Sequence, residues 1–253
     1  MKKTTLIILI IFFTLAGNLF SQSVSIAATA DLRFVMDELI LDFNKTCPEI
    51  KVEVIYGSSG NLVEQIVNKA PFNIFFSADV VYARKLDSLK LTSSKPKVYA
   101  IGHLVLWSSK LDVSKGVELL TSPEVKHIAI ANPAFDPYGK RAVEFLKFNK
   151  IDRLVKDKIV EGENVSQAAQ FALVKNADVG IIALSLALSA EMRTKGKHFP
   201  IDETNYSKLE QAYVILKSSS HPKEIAKFVQ YLETQNARRI FGKYGFRLPV
   251  VKK

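Results

Sequence analysis

The chain has 253 residues, 48% of them hydrophobic and 24% charged, with a single cysteine, Cys47; this composition excludes a disordered chain and a disulfide-stapled miniprotein. Lysine and arginine number 35 against 25 aspartates and glutamates, a formal charge of +10. That charge admits nucleic acid or an anionic membrane as partners, but the lysines are spread along the chain with acids interleaved, so neither is expected.

Lys2 and Lys3 precede an unbroken apolar run over 6–13, and small polar residues follow at Ser21 and Ser23. This pattern predicts a secretory signal peptide over 1–23, cleaved after Ser21 or Ser23. The competing reading, a membrane anchor, is disfavoured because the run is short for the roughly 20 residues that span a bilayer. From residue 24 onward, β-rich runs alternate with stretches of helical period. Strands are predicted over 24–29, 51–56, 72–77, 99–107, 127–131, 179–183 and 211–216, and helices over 32–44, 62–68, 140–150, 165–175 and 223–233. In 32–44, Leu32, Val35, Met36, Leu39, Ile40 and Phe43 follow the i, i+3, i+4 rule and predict one buried face.

The alternation predicts an α/β fold in which mainly parallel sheets are flanked by helices. Two polar, turn-rich stretches, 90–97 and 199–207, each lead into an apolar strand. If both strands cross between bodies, 24–101 plus 211–253 form lobe one and 102–210 form lobe two, with a ligand cleft between them. Trp107, beside the first crossing, would then either report lobe closure or be an ordinary core residue.

Enzyme signatures are sparse. The chain has no phosphate-binding Gly-x-x-x-x-Gly-Lys-Ser/Thr loop, no Gly-x-Gly-x-x-Gly and no His-Glu-x-x-His. Gly57-Ser58-Ser59-Gly60 departs from the Gly-x-Ser-x-Gly spacing of a nucleophile elbow. His103, His127, His198 and His221 have no partner at metal-ligand spacing.

What recurs is a strand followed by a cap-type residue that opens a helix: Asp31, then Ser58 and Ser59, then Pro137-Tyr138-Gly139, then Asn164 with Gln167 three residues on. Each helix start presents unpaired backbone N–H groups and the positive end of a dipole. Plain capping explains any one of them. If four converge, two from each lobe, they form a site for an anion at the C-terminal ends of the strands, where doubly wound sheets bind ligands. Five or six hydrogen bonds to a charged partner, at about 1.5–3 kcal/mol each less the cost of association, support a nanomolar to micromolar dissociation constant.

Several segments resemble the periplasmic molybdate-binding proteins of ABC importers, a family of two-lobed (type II) periplasmic binding proteins. They are Tyr56-Gly-Ser-Ser-Gly-Asn-Leu-Val-Glu-Gln-Ile, Ala70-Pro-Phe-Asn-Ile-Phe-Phe-Ser-Ala-Asp, Tyr99-Ala-Ile-Gly-His-Leu-Val-Leu-Trp-Ser, His127-Ile-Ala-Ile-Ala-Asn-Pro, Asp136-Pro-Tyr-Gly and Ile159-Val-Glu-Gly-Glu-Asn-Val-Ser-Gln-Ala. The resemblance implies a tetrahedral oxyanion, molybdate or tungstate, held by neutral donors and passed to a membrane permease. It further implies a monomer with no cofactor and no enzymatic activity. Carried over by position, Ser59 is implied to donate its hydroxyl and backbone N–H, and Tyr138 and Val165 their backbone N–H groups. Asp31 stands where the family often has serine or asparagine. Some members place a tyrosine after the strand that here ends at Ile182; this chain has Ala183, and Tyr138 is expected to compensate.

An Asp31 carboxylate aimed at a dianion is repulsive by about 4 kcal/mol at 4 Å and an effective dielectric constant near 20. The expected arrangement is therefore that its side chain caps its own helix and its N–H serves the ligand. The alternative is a receptor for a protonated oxyanion such as phosphate or arsenate, whose proton turns repulsion into a hydrogen bond. A secreted α/β hydrolase using Ser59 is a further, lesser alternative, since no candidate base carries a recognisable motif.

Overall fold

A computed structural model describes residues 22–249. β1 (Gln22–Thr29) lies between β2 (Ile50–Gly57) and β3 (Ile74–Ser77), parallel to both, and the sheet is completed by β4 (Lys97–Gly102) and β10 (Leu209–Ile215) in the order β2-β1-β3-β10-β4. β10 runs antiparallel to β3 and β4. The second sheet contains β5 (Leu104–Ser108), β6 (Ile128–Ala131), β7 (Ile159–Gly162), β8 (Val179–Ala183) and β9 (Lys197–Pro200) in the order β7-β6-β8-β5-β9. Here too three strands are parallel, β7, β6 and β8, and the other two pair antiparallel. The two-lobed α/β architecture follows from these two sheets and the helices that flank them.

Strands covered on both faces read as continuous apolar runs, and their period of two sends alternate residues to opposite layers. Val24, Ile26, Ala28, Ile74 and Phe76 face one core with the helices Arg33–Phe43, Pro222–Tyr231 and Gln235–Lys243. Ala27, Phe75, Ala212 and Val214 face the other, with the helices Ser59–Val67 and Val80–Ser88. The second lobe has one large core that includes Trp107, fully buried in β5, so this side chain packs as a core residue. Two first-lobe alanines, Ala30 and Ala78, join that second core, which ties the lobes together next to the cleft.

The predicted single strand over 99–107 is two strands in different sheets. β4 ends at Gly102 and β5 begins at Leu104, so the chain changes lobe at His103. A mostly apolar run, here interrupted only by Gly102-His103, looks the same whether it stays in one buried sheet or passes between two. Gly102 marks the change in a way the run does not, because a Cβ there would collide with the Tyr138 hydroxyl. β7 and β9 were not predicted: the first has only four residues, and the second, Lys-His-Phe-Pro, is an edge strand whose proline reads as a turn. The helices Val80–Ser88 and Gln235–Lys243 were also not predicted.

The expected leader over 1–23 lies outside the described residues except for Gln22 and Ser23, which begin β1 opposite Ile50 and Lys51. Among the described residues no helix is long and apolar enough to cross a membrane.

Candidate functional site

The C-terminal ends of β1 and β2 in one lobe, and of β6 and β7 in the other, each feed a helix or turn. After β2, Ser58 caps the helix Ser59–Val67, its side chain accepting from the Asn61 N–H at 3.4 Å. After β6, Asp136 caps the helix Pro137–Phe148, where proline at the first position gives up no needed donor. After β7, Asn164 Oδ1 accepts from the N–H groups of Ser166 and Gln167 at 3.0 and 3.1 Å, and Gln167 reaches back to the Glu163 N–H at 2.6 Å. This is the expected capping box, displaced by one residue at its return arm. β1 differs, because a 3-10 turn, Ala30–Leu32, comes before the helix Arg33–Phe43.

That turn explains the correction at Asp31. The side chain does not cap its own helix: Asp31 lies inside the turn, and the cap positions fall on Thr29 and Leu32, neither of which makes a side-chain cap bond. Instead its Oδ2 accepts from the Tyr138 hydroxyl at 2.9 Å and from Gln211 Nε2 at 2.5 Å. Oδ1 is buried without a hydrogen-bond partner among the described residues. Burial pushes the Asp31 carboxyl up to about 6, against the opposing effect of the bonds from Gln211 and Tyr138.

The structure brings all four sequence-predicted residues to the interlobe region, each no more than 1% exposed. Ser59 Oγ accepts from the Ala78 N–H at 3.1 Å, which leaves its own proton for another acceptor. Tyr138 and Val165 do stand at their helix starts, but their N–H groups are taken. Asp136 Oδ1 accepts from Tyr138 N at 2.8 Å and Asp136 Oδ2 from Val165 N at 3.0 Å. Buried N–H groups are almost never left unpaired, and one carboxylate here serves two helix starts. Burial pushes Asp136 up to about 7, with the charge of Asp31 adding to the rise and the N–H groups of Tyr138 and Val165 opposing it.

Sequence reasoning missed Asp136 and Gln211. The first stood in the Asp136-Pro-Tyr-Gly segment of the resemblance but read there only as an aspartate before proline, an ordinary helix cap, and the second read only as a polar residue in an apolar strand. The hydroxyl absent at Ala183 has a neighbour that supplies one: Ser185 Oγ donates to the Asp31 carbonyl at 2.8 Å. The Tyr138 hydroxyl, expected to compensate, is committed to Asp31.

The lobes meet across the cleft through several polar contacts. Gly60 N–H donates to the Phe135 carbonyl at 2.8 Å, and a Cβ on Gly60 would lie only 2.8 Å from that oxygen. Arg141 Nη2 pairs with Asp79 Oδ2 at 2.6 Å, both side chains buried, while Arg141 Nε donates to the Ser207 carbonyl at 2.8 Å. A groove of 310 Å³ at the cleft edge is lined from one lobe by Ala30, Arg33 and Tyr56 and from the other by Asn164, Ser166 and Gln170. The arrangement is thus a buried cluster of hydroxyl and amide donors with two carboxylates among them. It can enclose a small anion between the lobes, provided the carboxylates are displaced, neutralised or used as acceptors.

Residues 24–247 match the family of bacterial extracellular solute-binding proteins. A molybdate-binding protein of Azotobacter vinelandii is 33% identical over 230 residues, 90% of this chain and 91% of that protein. One from Rhodobacter capsulatus is 33% identical over 199 residues, 77% of each chain. Among solved structures, a periplasmic molybdate-binding protein of Azotobacter vinelandii superposes with a TM-score of 0.84 at 31% identity, covering 90% of this chain and 100% of that one.

Proposed function

The chain belongs to the bacterial extracellular solute-binding protein family, and from that membership we propose that it binds molybdate, and tungstate with it, and hands the anion to the permease of an ABC transporter. The observation that carries this reading is the meeting of helix starts from both lobes, after β1, β2, β6 and β7, in one buried cluster. Ser59 supplies a hydroxyl with a free proton, and Tyr138 and Val165 stand at positive helix ends with N–H groups that Asp136 must release before an anion takes them. Asp31 lines the same space. On this reading the protein is an exported monomer with no catalytic step and no cofactor. Its two lobes, with the crossings falling between β4 and β5 and between β9 and β10, hinge there and close on the ligand.

A second reading has one observation in its favour. Asp31 does not cap its helix, and its Oδ1 is buried without a partner among the described residues, so it can accept a hydrogen bond from an anion that carries a proton. Hydrogen phosphate or arsenate is such an anion, whereas fully deprotonated molybdate is not.

Calorimetry of the protein against molybdate, tungstate, sulfate and phosphate separates the two. Tight binding of molybdate and tungstate with no phosphate response supports the first reading, and a response to phosphate or arsenate alone supports the second. With the preferred anion, Ser59→Ala is expected to weaken binding more than about tenfold, the worth of one charge-assisted hydrogen bond, with little change in the thermal midpoint of the unliganded protein. Unchanged affinity removes Ser59 from the site.

A further inference from the structure

A buried carboxylate that satisfies a single helix start is an ordinary cap. Asp136 does something more specific. Its two oxygens are split between the first turns of two helices that leave different strands, β6 and β7, with Tyr138 N at 2.8 Å and Val165 N at 3.0 Å. Two anionic oxygens facing two convergent N–H groups is the contact that one edge of a tetrahedral oxyanion makes. These are also the two second-lobe donors on which the proposed binding depends. A second acid lies in the same cluster: Asp31, whose Oδ2 accepts from the Tyr138 hydroxyl and Gln211, so the carboxylate that holds the two N–H groups has another buried carboxyl beside it. The Asp136 side chain is itself buried, so it cannot leave for water without a rearrangement at the cleft.

We propose that Asp136 is an internal competitor of the oxyanion: its carboxylate holds the N–H groups of Tyr138 and Val165, and the incoming anion binds by displacing it. Asp136 is thereby a residue that sets both affinity and selectivity, and the inference rests on the oxyanion-receptor reading above. A weakly accepting anion cannot outbid a carboxylate already in place, so the device favours anions that accept hydrogen bonds strongly.

Protonation weakens the competitor, because a neutral carboxyl accepts less strongly and no longer repels the anion. The charged groups that act on Asp136 are Asp31 from the turn after β1 and, through Tyr82 of the helix Val80–Ser88, which it shares with them, Asp79 and Arg141; its own helix contributes the Tyr138 N–H. Arg141 is engaged by Asp79, and the charge of Asp31 works against ionisation of Asp136. Burial already holds Asp136 near neutrality, up to about 7. Lowering the pH through that value therefore protonates the competitor and strengthens anion binding, by up to about tenfold per unit for one linked proton.

The test is calorimetry with molybdate and with tungstate on the full protein at pH about 6 and about 8.5, on either side of the shifted carboxyl. Asp136→Ala removes both acceptor oxygens, and Asp136→Asn keeps one and the volume while removing the charge, so that the second variant stands if the first fails to fold. Both are expected to bind at least about tenfold more tightly than the parent at the higher pH, with the difference shrinking at the lower pH. As a readout independent of affinity, the amide signals of Tyr138 and Val165 in nuclear magnetic resonance should titrate with Asp136 in the parent protein without added anion, and lose that titration in Asp136→Asn. Parent-like or weaker binding in both variants, with an unchanged pH profile, overturns the inference and leaves the receptor reading intact. Failure of the parent and both variants to bind any of molybdate, tungstate, sulfate or phosphate at either pH overturns the receptor reading and the inference together.

Discussion

Asp31 concentrates the chemical tension of this site in one side chain. Its folded carboxyl titrates near 6 against an ordinary 3.8, chiefly because burial disfavours the charge. Between those two values the folded protein holds a proton that the unfolded chain has already lost. Stability therefore falls as the pH rises through that window and stays lower above it. Asparagine can place its carbonyl where Oδ2 accepts from Tyr138 and Gln211, and its amide where Oδ1 has no partner. Asp31→Asn is thus expected to raise the thermal midpoint at pH about 8, by a free energy of up to about 3 kcal/mol, with the gain fading toward pH about 4. An equal effect at both ends of that range would mean that the carboxylate is not the source of the cost. Little of this was legible in the sequence. The repulsion between Asp31 and a dianion could be stated from charge alone, but the escape expected from it, self-capping, was wrong because a 3-10 turn shifts the helix start past the residue. Asp136 was quoted within a segment that carries the resemblance, but its role escaped notice for a related reason. A cap and a competitor have the same local sequence, and only the tertiary approach of Val165 tells them apart.

At the scale of elements, the helix starts were the most readable part of the chain. Ser58, Pro137-Tyr138-Gly139 and the Asn-x-x-Gln at 164–167 are local chemical signals; the helix after Asn164 begins at Val165 as expected, and the other two begin at Ser59 and Pro137, three residues before the expected 62 and 140. Strands buried on both faces were also readable, as with β8, which matches its predicted span. Legibility failed where an element's identity depends on its neighbours, as at the β4 to β5 change of sheet and the short edge strand β9. Gly60 shows how closely two of these elements meet, since its N–H reaches the Phe135 carbonyl across the cleft and a methyl group there has no room. Gly60→Ala leaves each lobe's own core untouched but pushes the Ser59 helix away from the segment before Pro137. Its expected result is a larger radius of gyration in small-angle scattering and a weakened affinity for the preferred anion, with the thermal unfolding of the unliganded protein only slightly altered. A compact, tightly binding variant would show instead that this contact adjusts without cost.

On the scale of the whole molecule, the sequence conveyed two lobes, a cleft and a ligand class, and it did so mostly through family resemblance supported by the strand and helix rhythm. The basic charge contributed least. Among the described residues Arg141, the buried base near the site, is paired with Asp79, Arg33 stands at the edge of the cleft groove, and the buried donors are hydroxyl and amide groups. A surplus of positive charge over the rest of the surface can raise the local concentration of anions, an effect that salt screens, while on the proposed reading discrimination among anions falls to neutral donors and two acids.

The order of strands also bears on how the chain reaches this shape. β10 sits between β3 and β4, so the first sheet has β4 cut off from the rest until residues beyond 208 are present. The second sheet is built from one continuous stretch, β5 to β9, and waits for nothing downstream. During refolding the inserted lobe should therefore mature first, and pulse-labelled hydrogen exchange should protect β6 and β8 amides before those of β3 and β4. Simultaneous protection would point to a single cooperative nucleus instead. A chain threaded across a membrane from its N-terminus would carry its first three strands as an unfinished edge, exposed to aggregation, for most of the passage.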